Sequence, residues 1–178
     1  MVVVITGPIA SGKSTVARKL ARELERAHVR VAVIDLDLVH EMVGSDGLKS
    51  DDASWALARH AAATLAITFL EEGVAVVVAE GSFNTPADRE AFARHLGPSV
   101  RPAYVTLRVS FEEALRRAQM DPTRGLSRDP AFLGSYFAAS ADVLATVPAT
   151  DLVIDTEWVP ATAAAVEIAS LIRRETSQ

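Results

Sequence analysis

The chain has 178 residues, 49% of them apolar, a net charge of −5 and an isoelectric point of about 5.4. That length and apolar content predict one globular domain with a sizeable core, and the acidic balance argues against a general nucleic-acid-binding surface. Cysteine is absent, which excludes disulfides, thiolate metal sites and a cysteine nucleophile.

Val2-Val3-Val4-Ile5 is a short β-branched run of the kind that makes a fully buried strand. It leaves no room ahead of it for a signal peptide. The most apolar helical stretch, 61–70, is too short to span a bilayer. A soluble, cytoplasmic protein is therefore the expectation. Gly7-Pro8-Ile9-Ala10-Ser11-Gly12-Lys13-Ser14 follows, with Thr15 behind it, and matches the P-loop pattern G-x-x-x-x-G-K-[ST] at every fixed position. Residues 14–27 then read as a helix with Val16, Ala17, Leu20 and Leu24 on one face. Gly7 and Gly12 let the backbone turn and approach a phosphate closely. Successive N–H groups across Ala10, Ser11, Gly12, Lys13, Ser14 and Thr15, at a helix N-terminus, point at the anion. Lys13 reaches the β- and γ-phosphates and the Ser14 hydroxyl suits Mg²⁺. The expected ligand is a nucleoside triphosphate, ATP foremost, with Mg²⁺.

Residues 30–34 read as the second strand, ending in Asp35-Leu36-Asp37. Ligands of open parallel sheets sit beyond the carboxyl ends of the strands, so two carboxylates here are well placed for chemistry. Asp37 alone also suits the N-cap of a short helix over 38–43. A turn-rich linker over 44–50 leads to a helix over 52–72, capped by Ser50 or Asp51. Trp55, Leu57, Ala58, Ala61, Leu65 and Phe69 make that helix apolar over much of its surface, so it should be largely buried or lie against a pocket. Arg59 and His60 interrupt it; an exposed helix face is the expected home of both, with a substrate-facing role as the alternative.

Gly73 ends that helix. Residues 74–79 form a continuous apolar strand, followed by Glu80-Gly81-Ser82-Phe83-Asn84. Glu80 stands where a Walker-B-like acid would stand, although Ala79 precedes it. Pro86 opens a helix over 87–95. A fourth strand spans 101–109. Ser110 and Glu113 then form a capping-box pattern for a helix that carries Arg116 and Arg117 and stops near Asp121-Pro122. Residues 121–130 read as a loop holding Arg124, Gly125 and Arg128. A helix over 131–144, a fifth strand at 152–154, Trp158-Val159-Pro160 and a helix over 161–174 complete the chain. Strands alternating with helices give a parallel α/β sheet with right-handed crossovers.

On these residues the whole chain resembles the small P-loop kinases of the nucleoside-monophosphate-kinase superfamily, in the branch of shikimate kinase, gluconate kinase, adenylylsulfate kinase and chloramphenicol phosphotransferase. The resemblance implies a three-layer α/β P-loop NTPase fold. Its five-stranded parallel sheet would run in order 2-3-1-4-5, with helices on both faces, an acceptor-binding region over about 38–72 and an Arg-bearing lid over about 121–130. It implies ATP and Mg²⁺ as cofactors and a small-molecule hydroxyl as acceptor. In that pattern Asp37 looks like the carboxylate that takes the acceptor proton, and Asp35 is similar to the acid that supports Mg²⁺ beside Ser14. Arg124 and Arg128 look like lid arginines. Arg116 or Arg117 resembles the arginine that stacks on adenine, and Trp158, Val159 and Pro160 fall where the family borders the base. Glu80, Gly81, Ser82 and Asn84 fall where it contacts the acceptor, and Arg59 joins them as a candidate only through the substrate-facing alternative above. The Asp-Arg pair common after strand three in nucleoside kinases is here Glu80-Gly81, and shikimate kinase's glycine-rich element there is reduced to Gly81. The acceptor is therefore left open. A regulatory nucleotide-binding ATPase and a nucleoside or polynucleotide-end kinase are the alternatives. The asparagine-lysine element of guanine readers is absent, since the single Asn84 is followed by Thr85.

Overall fold

The computed structural model describes residues 1–42, 52–145 and 150–176, with side chains left aside at 142–145 and 176. The expected linker at 44–50 and the caps Ser50 and Asp51 lie outside the described residues, so the acceptor-binding region is seen only in part.

Five strands form one parallel sheet: β1 (Val2–Thr6), β2 (Val31–Asp35), β3 (Val76–Glu80), β4 (Ala103–Arg108) and β5 (Leu152–Asp155), in the order β2-β3-β1-β4-β5. β1 and β3 are buried along their whole length, which is why both read as unbroken apolar runs. Side chains alternate across a strand, and two cores result. Val3, Ile5, Val76 and Val78 pack with Val16 and Leu20 of α1 (Lys13–Arg26) and Ile168 of the C-terminal helix Ala161–Thr176. Val2, Val4, Val77 and Ala79 pack on the other face, with Ala62 and Phe92. These two come from the helices Asp52–Glu71 and Pro86–Leu96. No helix among the described residues is long and apolar enough to cross a membrane.

The register places the carboxyl ends of the central strands side by side. Ile5 and Asp35 both pair with Glu80, and Thr6 pairs with Thr106. Parity then decides where Glu80 points. It shares the face of Val76 and Val78, so its side chain turns toward α1 and the glycine loop.

Several local expectations are corrected. The helix α2 spans Leu36–Met42, and Asp35 caps it: Asp35 Oδ1 accepts from the N–H of Asp37 at 3.0 Å and of Leu38 at 3.4 Å. Asp37 stands inside the first turn and is not the cap. The helix α3 (Asp52–Glu71) is buried along a stripe of Ala58, Ala62, Ala63 and Ala66, and Leu57 and Leu65 face outward. The small side chains let α3 approach the sheet closely, and that contact needs only one side of the helix. α4 (Pro86–Leu96) starts at Thr85 with a reciprocal capping box to Asp88. In α5 (Phe111–Met120) the box at Ser110 is only half made. Ser110 Oγ accepts from Glu113 N–H, but Ser110 N–H goes to Glu157, because the Glu113 carboxylate is held by Arg116 and Arg117. The segment 121–130 is not an open loop; it contains a 3-10 turn over Gly125–Arg128, packed against α5 and the helix α6 (Pro130–Ala145). The last helix, Ala161–Thr176, is α7.

Candidate active site

The glycine loop joins β1 to α1. Gly7 has φ +150°, and a Cβ there would meet the Leu107 carbonyl oxygen at 2.5 Å, so only glycine fits. Gly12, at φ +92°, is the N-cap of α1, and Ala10 also adopts a positive φ of 61°. The Ser11 side chain is fully buried, and its hydroxyl has no hydrogen-bond partner among the described residues. Such an orphan beside a phosphate-binding motif fits a site shaped for an anion.

Lys13 opens α1 and folds back over the loop, donating to the carbonyls of Gly7 and Pro8 at 3.1 Å each. Burial lowers its pKa, with Arg124 pushing the same way; Glu80, Asp37 and Asp35 oppose them. Three carboxylates thus converge on one ammonium. Glu80 is buried and its pKa rises to about 7, chiefly through desolvation and partly through Asp35; a hydrogen bond from Ser14 opposes this. Ser14, Asp35 and Glu80 are therefore one cluster of hard oxygen donors. Sequence reasoning read Glu80 both as a Walker-B-like acid and among the acceptor contacts; the parity of β3 sets its side chain beside Ser14 and Asp35. Gly81 is likewise absent from the cavity wall. At φ +149° its missing Cβ would lie 2.5 Å from Leu36 Cβ, so it is needed for packing of β3 against the start of α2.

Of the cavities beside the loop, two are lined by sequence-predicted site residues. The larger, about 930 Å³, is lined by Lys13 and Asp37 together with Arg59, Ser82 and Asn84. Asp37 is exposed to it and accepts no hydrogen bond from any described residue. Its pKa is raised by desolvation, against the pull of Lys13. Arg59 lies on this wall rather than on an exposed face, because Asp88 binds it at 2.5 Å and the Ser82 carbonyl accepts from it at 3.4 Å. His60 is exposed and stacks on His95. Asn84 Oδ1 accepts from Thr6 Oγ1 at 2.9 Å, which fixes it at the end of β1.

Residues that the sequence reading passed over also line this cavity, His40, Phe132 and Tyr136, and so does Trp55, from the helix expected to be largely buried or to lie against a pocket. His40 stacks on Trp55 with ring centres 3.9 Å apart and bonds Ser54 Oγ through Nε2 at 2.9 Å. Helical spacing held a signal for two of these. His40 is three residues after Asp37, and Tyr136 is four after Phe132, so each pair shares a helix face.

The second cavity, about 330 Å³, lies on the other side of the loop and is lined by Thr15, Arg117, Arg124, Val159 and Pro160, among others. Arg117 donates to Glu113 at 2.7 Å and to the Thr156 carbonyl and hydroxyl, and the Thr156 hydroxyl donates to Ser11 O at 2.9 Å. Of the arginine pair, Arg117 faces the cavity, whereas Arg116 lies at the exposed surface against Glu113 and Met120. Arg124 lines the cavity and pairs with Asp121 at 3.3 Å. Arg128 is exposed and lines neither cavity. Trp158 is 78% exposed and is not part of the wall; Val159 and Pro160 are.

Solved structures with the same architecture include the APS kinase of Mycobacterium tuberculosis bound to AMPPNP and APS, at TM-score 0.71 and 21% identity over 97% of this chain and 96% of that one. They also include the shikimate kinase of Acinetobacter baumannii with shikimate (0.62, 20%, 99% and 95%) and a sugar kinase of a Janibacter species (0.68, 19%, 95% and 92%). At these identities the likeness is one of fold. No curated protein matches the chain. A sequence family described as an AAA domain matches residues 2–129, from the first strand through the glycine loop to the 3-10 turn, and the chain belongs to that family.

Proposed function

We propose that the chain is an ATP-dependent kinase that transfers the γ-phosphoryl group to a hydroxyl of a small molecule. One observation carries this reading: Lys13, at the phosphate cradle, and Asp37, an unpaired carboxylate, line the same cavity. A regulatory ATPase has no need of about 930 Å³ beyond its phosphates, whereas that volume suits a small acceptor.

Each residue has a task in that reaction. Desolvation makes Asp37 a stronger base than a free aspartate, suited to take the hydroxyl proton as the new P–O bond forms and the bond to the leaving diphosphate breaks. Lys13 and Arg124 sit where charge shifts between phosphate oxygens. Arg117, Val159 and Pro160 border the space for the base. Ser14, Asp35 and Glu80 would hold Mg²⁺, since hard oxygens are its ligands. When bound, Mg²⁺ neutralises charge on those phosphates.

The test is acceptor-dependent ADP release. Lys13→Ala should cost at least about a hundredfold in rate, as for loss of one transition-state charge clamp, and leave the unfolding midpoint near that of the parent. Substantial kinase activity in the variant refutes the reading.

A further inference from the structure

The described residues that line the larger cavity carry an unbalanced charge. Four carboxylates line it: Asp37, Glu41, Asp52 and Asp88. Among the described lining residues the standing cations are Lys13 and Arg59, and both are committed. Lys13 is tied to the glycine loop and belongs to the phosphates. Arg59 is neutralised by Asp88, with side chains only 13% and 19% exposed. That leaves Asp37, Glu41 and Asp52, and neither Glu41 nor Asp52 is ion-paired to any described residue. Asp37 and Glu41 are four residues apart on α2, so they flank one helix face about 6 Å apart. Beside them lies a flat wall, the His40–Trp55 stack.

An anionic acceptor entering this cavity meets three unpaired carboxylates and no free cation among the described residues; such like-charge contacts are how sites reject partners. A cationic one gains attraction to Glu41 and Asp52 and to the Trp55 face. Building on the kinase reading, we propose that the acceptor is a cationic alcohol, a hydroxyl compound that carries an ammonium group on a flat apolar body, and that hydroxy acids are excluded. The alcohol oxygen forms the P–O bond, its proton passes to Asp37, ADP leaves, and the ammonium group stays protonated throughout against Glu41 and Asp52.

Three probes of one size and shape isolate the charge: 4-(aminomethyl)benzyl alcohol, 1,4-benzenedimethanol and 4-(hydroxymethyl)benzoate. Each is titrated by calorimetry into the protein loaded with AMPPNP and Mg²⁺, so binding is read without turnover. The amine should bind more tightly than the diol, on the order of tenfold for two or three exposed charge pairs, and the benzoate more weakly than both. Added salt should shrink the amine's advantage, and Glu41→Gln with Asp52→Asn should abolish it. A benzoate that binds as well as the amine, equal affinity for all three, or binding of none while AMPPNP still binds overturns the proposal. An amine that binds as expected while no alcohol is ever phosphorylated refutes the kinase reading instead and leaves the charge preference standing.

Discussion

Gly81→Ala tests how the fold sets the site. The added Cβ would lie 2.5 Å from Leu36 Cβ, at a backbone φ of +149°. Ordinary contact needs roughly another 1 Å, so β3 and the start of α2 must separate by about that much. Overpacking of this kind costs about 1–3 kcal/mol, and a side chain in so sparsely populated a conformation adds about 1–3 kcal/mol. Roughly 2–6 kcal/mol is expected in all. Gly97→Ala is the internal control. Gly97 also has positive φ, +82°, but nothing lies within 4 Å of its missing Cβ. It should show the backbone cost alone. Leu36 sits between Asp35 and Asp37, so the Gly81 variant should also lose transfer rate, by up to about a hundredfold for a 1 Å displacement, whereas the Gly97 variant should not. Urea unfolding and steady-state ADP release read the two effects. If Gly81→Ala unfolds like Gly97→Ala and turns over at the parental rate, the close approach of β3 to α2 is not what positions the two aspartates.

Asp37→Asn should lower kcat strongly and change nucleotide affinity little, measured by initial rates against equilibrium AMPPNP binding; a loss of stability with normal kcat would contradict its role as base. Arg124→Ala should depress kcat more than Arg128→Ala, because only Arg124 reaches a cavity wall; equal losses would argue against that division. The pH dependence of stability should carry a mark from Glu113, whose carboxyl is held at about 2 by its bonds to Arg116 and Arg117. Its folded pKa lies below the ordinary 4.5, so its contribution is present above that value and is lost as pH falls through about 2. Glu113→Gln should flatten Tm against pH across that window, and an unchanged acid limb would refute the assignment.

The glycine loop, the strands and the carboxylates after β2 were legible because each rests on a local rule: a motif with fixed spacing, apolar runs too short for helices, and acids at strand ends; the order of the strands came only with the family resemblance. What escaped depended on longer-range facts. Glu80 reads as the first residue of a loop until the register with Asp35 makes it the last of a strand, and only then does parity turn it toward Ser14. Arg59 looks like a solvated charge until Asp88, one turn into another helix, appears beside it. Arg116 and Arg117 are indistinguishable neighbours in sequence; Thr156, from beyond the next strand, selects the one that faces inward. Trp158 and Arg128 share their segments with residues that line the second cavity, but their own side chains are exposed.

The bond from Thr156 to Ser11 spans 145 positions of the chain, and β1 lies at the centre of the sheet between β3 and β4. The glycine loop is thus synthesised well before the residue that closes its wall. Its flanking strand must wait for both partners, and the wall behind Ser11 closes only when β5 has been added. Such long-range pairing slows folding, and a nascent chain cannot assemble its nucleotide cavity until β5 and Thr156 have left the ribosome. Nucleotide capture is then a natural reporter of completed folding, and a late ligand of this kind draws the finished protein away from its partly folded precursors by mass action.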